Sequence, residues 1–458
     1  MDKLYRWGMD TRRRFLQDTA AVAVGFGGLQ TLSARLAQKD SLRTKGYGPL
    51  LLDKAKVLEL PKGFSYKIIS KAGEKMDDGL ILPGKPDGMA AFAGPNGTTI
   101  LIRNHEINPA VNPSLGAFGK QNALLTDAIR AKMYDAEKKL KEGSTVTCLG
   151  GTTTMVYDTK EHKVVRQFLS LAGTLKNCAG GLTPWGSWIT CEEITDRASK
   201  TLAQDHGYNF EVPVTTEPTL NKAVPLRAMG RFKHEAVAVD PKTGIVYQTE
   251  DQDDGLIYRF IPKVKGQLAK GGRLQALMVR CVSSLDTRNW KEQRVGVGTK
   301  LPVQWLDIDD VEAPKNDLRQ RGFKKGAARF ARGEGMWYSR GSIYFACTNG
   351  GAKKDGQVWQ LADDTLELFA EPNDEALCDN CDNLTVAPWG DLILCEDGGA
   401  EQFLVGITPE GKFFKLARNA KSNSEFAGAC FSPDGSTLFV NIQHQGLTLA
   451  ITGPWKRK

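Results

Sequence analysis

Histidine is scarce, five in 458 residues. No serine–histidine–acid set can be assembled from His105, His162, His206, His234 and His444, which sets aside the usual triad hydrolases and makes each histidine structural or a neighbour of other functional groups. Long basic runs are missing too: 61 Lys+Arg stand against 53 Asp+Glu, for a net charge of +8. So modest and scattered an excess argues against a nucleic-acid partner and suits a small anionic substrate equally well. A membrane-length apolar run is also absent, because the stretch 20–32 is rich in Ala and Gly and too short to span comfortably. The nine cysteines are odd in number, so complete disulfide pairing is excluded. Cys191, Cys347, Cys395 and Cys430 fall inside apolar strand patterns and read as small core residues. Cys378 and Cys381 form a single CxxC with no second pair, weak for zinc and open to a local disulfide.

The chain does contain an internal repeat. CAGGLTPWGSWITCEE (178–193) returns as DNLTVAPWGDLILCED (382–397). The shared Pro-Trp-Gly sets Cys178 opposite Asp382, Cys191 opposite Cys395, Glu192 opposite Glu396 and Glu193 opposite Asp397. Each copy reads as strand, glycine turn, strand. Weaker copies occupy 87–106, 235–251, 334–350 and 425–444. Six hairpins at uneven spacing predict an all-β, six-bladed β-propeller with inserted loops, whose inner strands line a central channel. The apolar spacing of Leu125, Ile129, Met133 and Leu140 predicts a short amphipathic helix over 122–141 on one insertion. The stretch 50–71 reads as an opening strand pair turning at 61–63, placed to close the propeller against 447–451.

Every hairpin opens on a side chain able to hold a metal: Asp87, Cys178, Glu235, Glu334, Asp382 and Glu425. Gathered at one mouth, these groups would repel one another unless cations neutralised them, so the ring predicts bound metal. Asp87 and Glu425 lie two residues further from their turns than Cys178 and Asp382, which loosens their registers. A stretch rich in Arg, Lys and Gly, 319–332, leads into Glu334 and brings positive charge beside the ring.

At the N-terminus, TRRRFLQ (11–17), the Ala/Gly-rich stretch and small residues ending near Ala37 resemble a twin-arginine export signal. This divides the chain into a cleaved segment, 1–37, and a mature propeller domain, 38–458.

The motifs NCAGGLTPWGSWITCEE, RFKHEAVAVD, TEDQDDGLIYRF, ARGEGMWY, CDNLTVAPWGDLILCEDG and EFAGACFSPDGSTLFVNIQHQG resemble the PhoX-type alkaline phosphatases over nearly the whole mature chain. The resemblance implies a six-bladed propeller that hydrolyses small phosphomonoesters, using two iron ions and several calcium ions and no protein nucleophile. It makes Cys178 the thiolate iron ligand, Glu193, Glu235, Glu334 and Asp382 carboxylate ligands, and Arg332 the phosphate clamp. It also implies handling by the twin-arginine machinery, a periplasmic or secreted location, no stable membrane association after cleavage, and a monomer. The chain is shorter than the better-known members, so the loops over its mouth differ. Arg332 breaks the repeat, since Lys176 and Asn380 stand at the matching positions; on a regular strand it would point the same way as Glu334, with its fork free. Two other readings accommodate an acidic ring. One is a calcium-dependent propeller lactonase or esterase, which needs neither iron nor Cys178. The other is a non-catalytic, calcium-stabilised periplasmic propeller, for which Trp290 and Trp455 would be exposed contact residues.

Overall fold

Alternating apolar residues around a glycine turn make all six hairpins. They pair antiparallel as Pro86–Ala93 with Thr98–His105, Asn177–Leu182 with Ser187–Glu192, His234–Val239 with Val246–Glu250, Gly333–Ser339 with Ser342–Cys347, Cys381–Val386 with Leu392–Glu396, and Phe426–Phe431 with Thr437–Ile442. Their turn glycines, Gly97, Gly186, Gly244, Gly341, Gly390 and Gly435, all have left-handed φ, from 71° to 110°, which is why glycine recurs there. The computed structural model describes residues 42–108, 115–141, 145–280 and 282–456. The expected export segment, 1–37, lies outside them.

The first strand of each hairpin packs on the first strand of the next, and the sixth packs on the first. Hydrogen bonds tie neighbouring hairpins together: Asn441 Nδ2 donates to Asp87 O at 2.7 Å, Asn104 Nδ2 to Ala179 O at 2.7 Å and Thr249 Oγ1 to Glu334 O at 2.7 Å. Such close approach requires a missing side chain. A Cβ on Gly335 would stand 2.6 Å from Leu384 N, and one on Gly88 2.6 Å from Ala179 Cα. The result is an all-β, propeller-like arrangement. Among the described residues no helix is long and apolar enough to cross a membrane.

Hydrogen bonding does not divide the chain into six separate four-stranded sheets, however. Hairpins one and six each belong to a four-stranded sheet, two to a three-stranded and five to a six-stranded sheet, while three and four share one ten-stranded sheet. The fusion arises because Lys300–Asp307 pairs with Gly272–Val279 through residues 303–307 and with Thr365–Ala370 through residues 300–302. Closure occurs as expected, with Ser65–Lys71 pairing to Leu447–Thr452. The opening hairpin does not form, since Leu58–Pro61 pairs with Phe413–Asn419 in another sheet. The helix expected over 122–141 shrinks to Asp127–Arg130. Beyond it, the Tyr134 and Asp135 N–H groups donate to Ala172 O and Gly173 O, and Glu137–Lys139 joins Thr145–Thr147. Tertiary pairing overrides the local period, although Leu125 and Met133 are buried as the apolar stripe implied.

The strand cysteines behave as core. Cys191, Cys347, Cys395 and Cys430 are fully buried, and Cys378 and Cys381 are buried free thiols. Trp455 is not an exposed contact residue: it packs among Tyr47, Phe64, Trp389 and Phe431. Trp290 lies under Arg288 and Lys354.

Candidate active site

Every inner strand carries a bulge near its start, at 86–89, 177–180, 234–237, 333–336, 381–384 and 427–430. A bulge adds one residue and re-aims the side chain before it. In five hairpins the residue at the first bulge position is Asp87, Cys178, Glu235, Glu334 or Asp382, so the register of Asp87 matches the others. The sixth differs. Gly428 (φ 63°) takes that position, and its absent side chain makes room for Asp87 O, 2.3 Å from where a Cβ would be. Glu425 reaches the ring from three residues earlier.

The ring side chains converge. Ligand atoms of Cys178, Glu193 and Glu235 lie within 4.8 Å of one another, as do those of Glu235, Glu334 and Asp382, and those of Asp382, Asp397 and Glu425. Glu235 and Asp382 link the three triads into one arc. Asp87 joins none of them; its Oδ2 accepts from Gln443 Nε2 at 2.6 Å. Asp397 is exposed and Glu425 half-buried, marking the open end. Burial first, and then neighbouring carboxylates, push the pKa values of Asp87, Glu235, Glu334, Asp382 and Glu425 well above the ordinary range. Burial and Asp251 push Glu193 up to about 7, and burial with Asp87 raises the Cys178 thiol. Both Glu235 oxygens and Asp382 Oδ1 are buried without a hydrogen-bond partner. Buried, partnerless oxygens facing other carboxylates are a donor set suited to cations.

A second tier runs around the mouth. The residue after each of four second strands is an acid: Glu106, Glu193, Asp251 and Asp397. Sequence reasoning retained only Glu193, although the other three end their repeats in the same way. Their N–H groups donate to the carbonyls of Lys85, Lys176, Lys233 and Asn380, the residues two before the ring position. The fourth hairpin repeats this bond from Thr348 N to Arg332 O. Arg332 itself is in the left-handed region, φ 50°, so it is not on a regular strand. Its guanidinium still turns toward Glu334, but the fork is not free: Nε and Nη2 donate to Asp251 at 2.7 and 3.2 Å, and Nη2 also to Glu334 at 2.8 Å. Of the basic residues just before it, Arg319 pairs with Asp254 at 2.7 Å and lies 3.7 Å from buried Glu250.

Behind the mouth acids lie buried polar anchors. Glu192 and Glu396, at equivalent repeat positions, accept the N–H of Leu175 and of Asp379, each at 2.9 Å. Both sit beside a cation: His206 Nδ1 lies 2.7 Å from Glu192 and Lys415 Nζ 2.8 Å from Glu396. His206 also faces Asp135 at 3.4 Å and shares a cluster with Cys148. His105 is held between Gly84 O and Thr153 Oγ1, and His234 stacks on Phe232. All three histidines are fully or almost fully buried and engaged within the fold.

A family model described as alkaline phosphatase PhoX matches residues 45–446. Among solved structures, Pseudomonas fluorescens PhoX in complex with vanadate, a transition state analogue, is 18% identical, with 87% of this chain and 96% of that chain covered and a TM-score of 0.63. At that identity the likeness is one of fold. A gluconolactonase from Xanthomonas campestris (12% identical, 89% and 98% covered, TM-score 0.35) and a luciferin-regenerating enzyme (10% identical, 85% and 96% covered, TM-score 0.40) align too loosely to bear on the argument. No curated protein sequence matches significantly. With the family model spanning nearly all of the folded chain, this protein belongs to the PhoX family of alkaline phosphatases.

Proposed function

We propose that this chain is a metal-dependent phosphomonoester hydrolase, exported by the twin-arginine route to the periplasm and cleaved near Ala37. Residues 38–458 would form a monomeric six-bladed propeller in which blades three and four are joined by strand pairing. The observation that carries the metal reading is the linked arc of one thiol and six carboxylates with partnerless buried oxygens at Glu235 and Asp382. The donor chemistry favours two kinds of ion. A thiolate is soft and suits iron, so Cys178, with Glu193 and Glu235, would hold the iron ions. Clustered carboxylates suit calcium, so Glu334, Asp382 and Glu425, with Asp87 alongside, would hold several calcium ions. Membership of the family supports hydrolysis of a small phosphoester as the reaction.

When bound, the cations supply Lewis-acid polarisation of the phosphoryl oxygens and a water acidified into a nucleophile. The chain's own work is positioning. Asp251 and Glu334 hold Arg332 from two sides. No hydrogen bond among the described residues engages its Nη1, which leaves one end of the guanidinium for a phosphoryl oxygen. The thiol weighs against the lactonase reading, because a calcium-only site has no use for a sulfur ligand at its centre.

Protein purified after export with its own signal should contain iron together with calcium and hydrolyse p-nitrophenyl phosphate. Calcium alone would return the lactonase reading. In the same preparation, Arg332→Lys keeps the charge but loses the planar fork. Its kcat/KM should fall about tenfold to a hundredfold with metals retained, and inorganic phosphate should inhibit it more weakly. Loss of metal from this variant, or unchanged kinetics and phosphate inhibition, would assign Arg332 to holding carboxylates alone.

A further inference from the structure

We propose that Lys176 is a second phosphate-binding residue, the internal-repeat counterpart of Arg332. The inference rests on the phosphatase reading of the ring. Lys85, Lys176, Arg332 and Asn380 each stand two residues before a ring side chain. All four have left-handed backbones, with φ of 47°, 47°, 50° and 53°. That conformation is costly for any residue with a Cβ, and its recurrence at one register means the mouth imposes it. Each carbonyl accepts the N–H that follows the second strand of its own hairpin, at 3.0 Å in all four. Lys176 and Arg332 therefore launch their side chains from equivalent points of the ring, two hairpins apart.

Their partners in the preceding hairpin are equivalent, Glu106 and Asp251 each being the acid just past a second strand, while the partner in the same hairpin is the ring residue Glu334 for Arg332 and the second-tier Glu193 for Lys176. Arg332 bridges Glu334 of its own hairpin and Asp251 of the hairpin before. Lys176 bridges Glu193 of its own hairpin at 2.6 Å and Glu106 of the hairpin before at 3.3 Å. Lys85, 3.7 Å from Glu106, and Lys233, 3.5 Å from Glu193, extend this into an unbroken alternation of Lys85, Glu106, Lys176, Glu193 and Lys233 over hairpins one to three. Asn380 ends the series with no charge, and Asp397 beside it is exposed.

Lys176 is the member of this arc best placed to meet a phosphate. What sets it apart is not exposure, since its side chain is 26% exposed against 26% for Lys85 and 34% for Lys233, but pairing: of the three lysines it alone bridges acids of two hairpins, as Arg332 does. Of its three ammonium donors the two acids take two, and any cation bound by Glu193 would compete for that carboxylate and release another. Lys176 and Arg332 would then hold a phosphate from two sides, one as a compact charge and the other as a fork.

The test uses the metal-loaded protein and inorganic phosphate as probe, with Lys176→Met and Lys176→Arg. In Lys176→Met, KM for p-nitrophenyl phosphate and the phosphate inhibition constant should both rise about tenfold or more, the loss of one charge-assisted hydrogen bond, with metal content unchanged. Lys176→Arg should recover most of both. Calorimetric phosphate binding should weaken by the same factor, a readout independent of turnover. Unchanged KM and phosphate inhibition in Lys176→Met would overturn the proposal while leaving the phosphatase reading intact. Loss of metal or melting temperature with no change in phosphate affinity of the loaded fraction would overturn it too, reducing Lys176 to a counter-charge for Glu106 and Glu193. A parent protein that neither turns over the ester nor binds phosphate would remove the phosphatase reading and this inference with it.

Discussion

Replacing Cys178 by serine is expected to remove bound iron and most phosphatase activity, the largest functional loss of any cysteine substitution in this chain. The thiol sits at the first bulge position of its hairpin, with ligand atoms of Glu193 and Glu235 within 4.8 Å. Serine keeps the size but offers a hard, weakly acidic oxygen in place of a soft thiolate. Burial and Asp87 hold the free thiol strongly protonated, so only a cation at that spot makes the thiolate useful. Cys191→Ser, Cys347→Ser and Cys395→Ser are the controls. Each places a hydroxyl in a fully buried site and should cost about 1–3 kcal/mol of stability while iron stays bound. Full iron content in Cys178→Ser would end its ligand assignment, and iron loss equal to that in the controls would reduce it to a folding effect.

For His206→Ala the expectation is a loss of about 3–5 kcal/mol in denaturant unfolding, the range for breaking a buried ion pair from one side. The ring is fully buried between Glu192 and Asp135. Burial works against the charged imidazole, but Glu192 and then Asp135 outweigh it and push the pKa up to about 12. A raised pKa means the stabilisation is fully present below the unfolded value of about 6.5 and fades as pH climbs through about 12. Between pH 7 and 10 the contribution should therefore fall steadily, so the stability gap between parent and variant narrows across this window and closes only near pH 12. Glu192 precedes Glu193 in the chain, so the variant should also bind metal more weakly. A loss below about 1 kcal/mol would mean that the backbone donors to Glu192, from Leu175, Gly207 and Tyr208, suffice without the cation.

Much of the site was legible because the repeat is written in the chain itself. Asp87, Cys178, Glu235, Glu334 and Asp382 could be aligned through their turn glycines, and all five occupy one bulge position. Glu193 was readable from its match to Asp397. Glu106 and Asp251 carried the same signal, an acid just past the second strand, but only their ion pairs to Lys176 and Arg332 give it meaning. The sixth hairpin was misleading. Its apolar alternation continues through Gly428, so nothing local says that the ring position falls on glycine and that Glu425 must reach in from three residues upstream.

Strands, turns and five of the six ring positions were thus determined by sequence alone, because alternation, turn glycines and the residue opening each hairpin are local properties that a repeat displays several times over. Register and partnership were decided only in three dimensions. A bulge is defined by the strand opposite, and the ten-stranded sheet exists because Lys300–Asp307 meets a strand some sixty residues away. The alternation of Lys85, Glu106, Lys176, Glu193 and Lys233 joins three hairpins whose distance along the chain says nothing of their contact. Closing the ring creates these contacts, since it brings like charges close enough that each must be shared with a neighbour or with a cation.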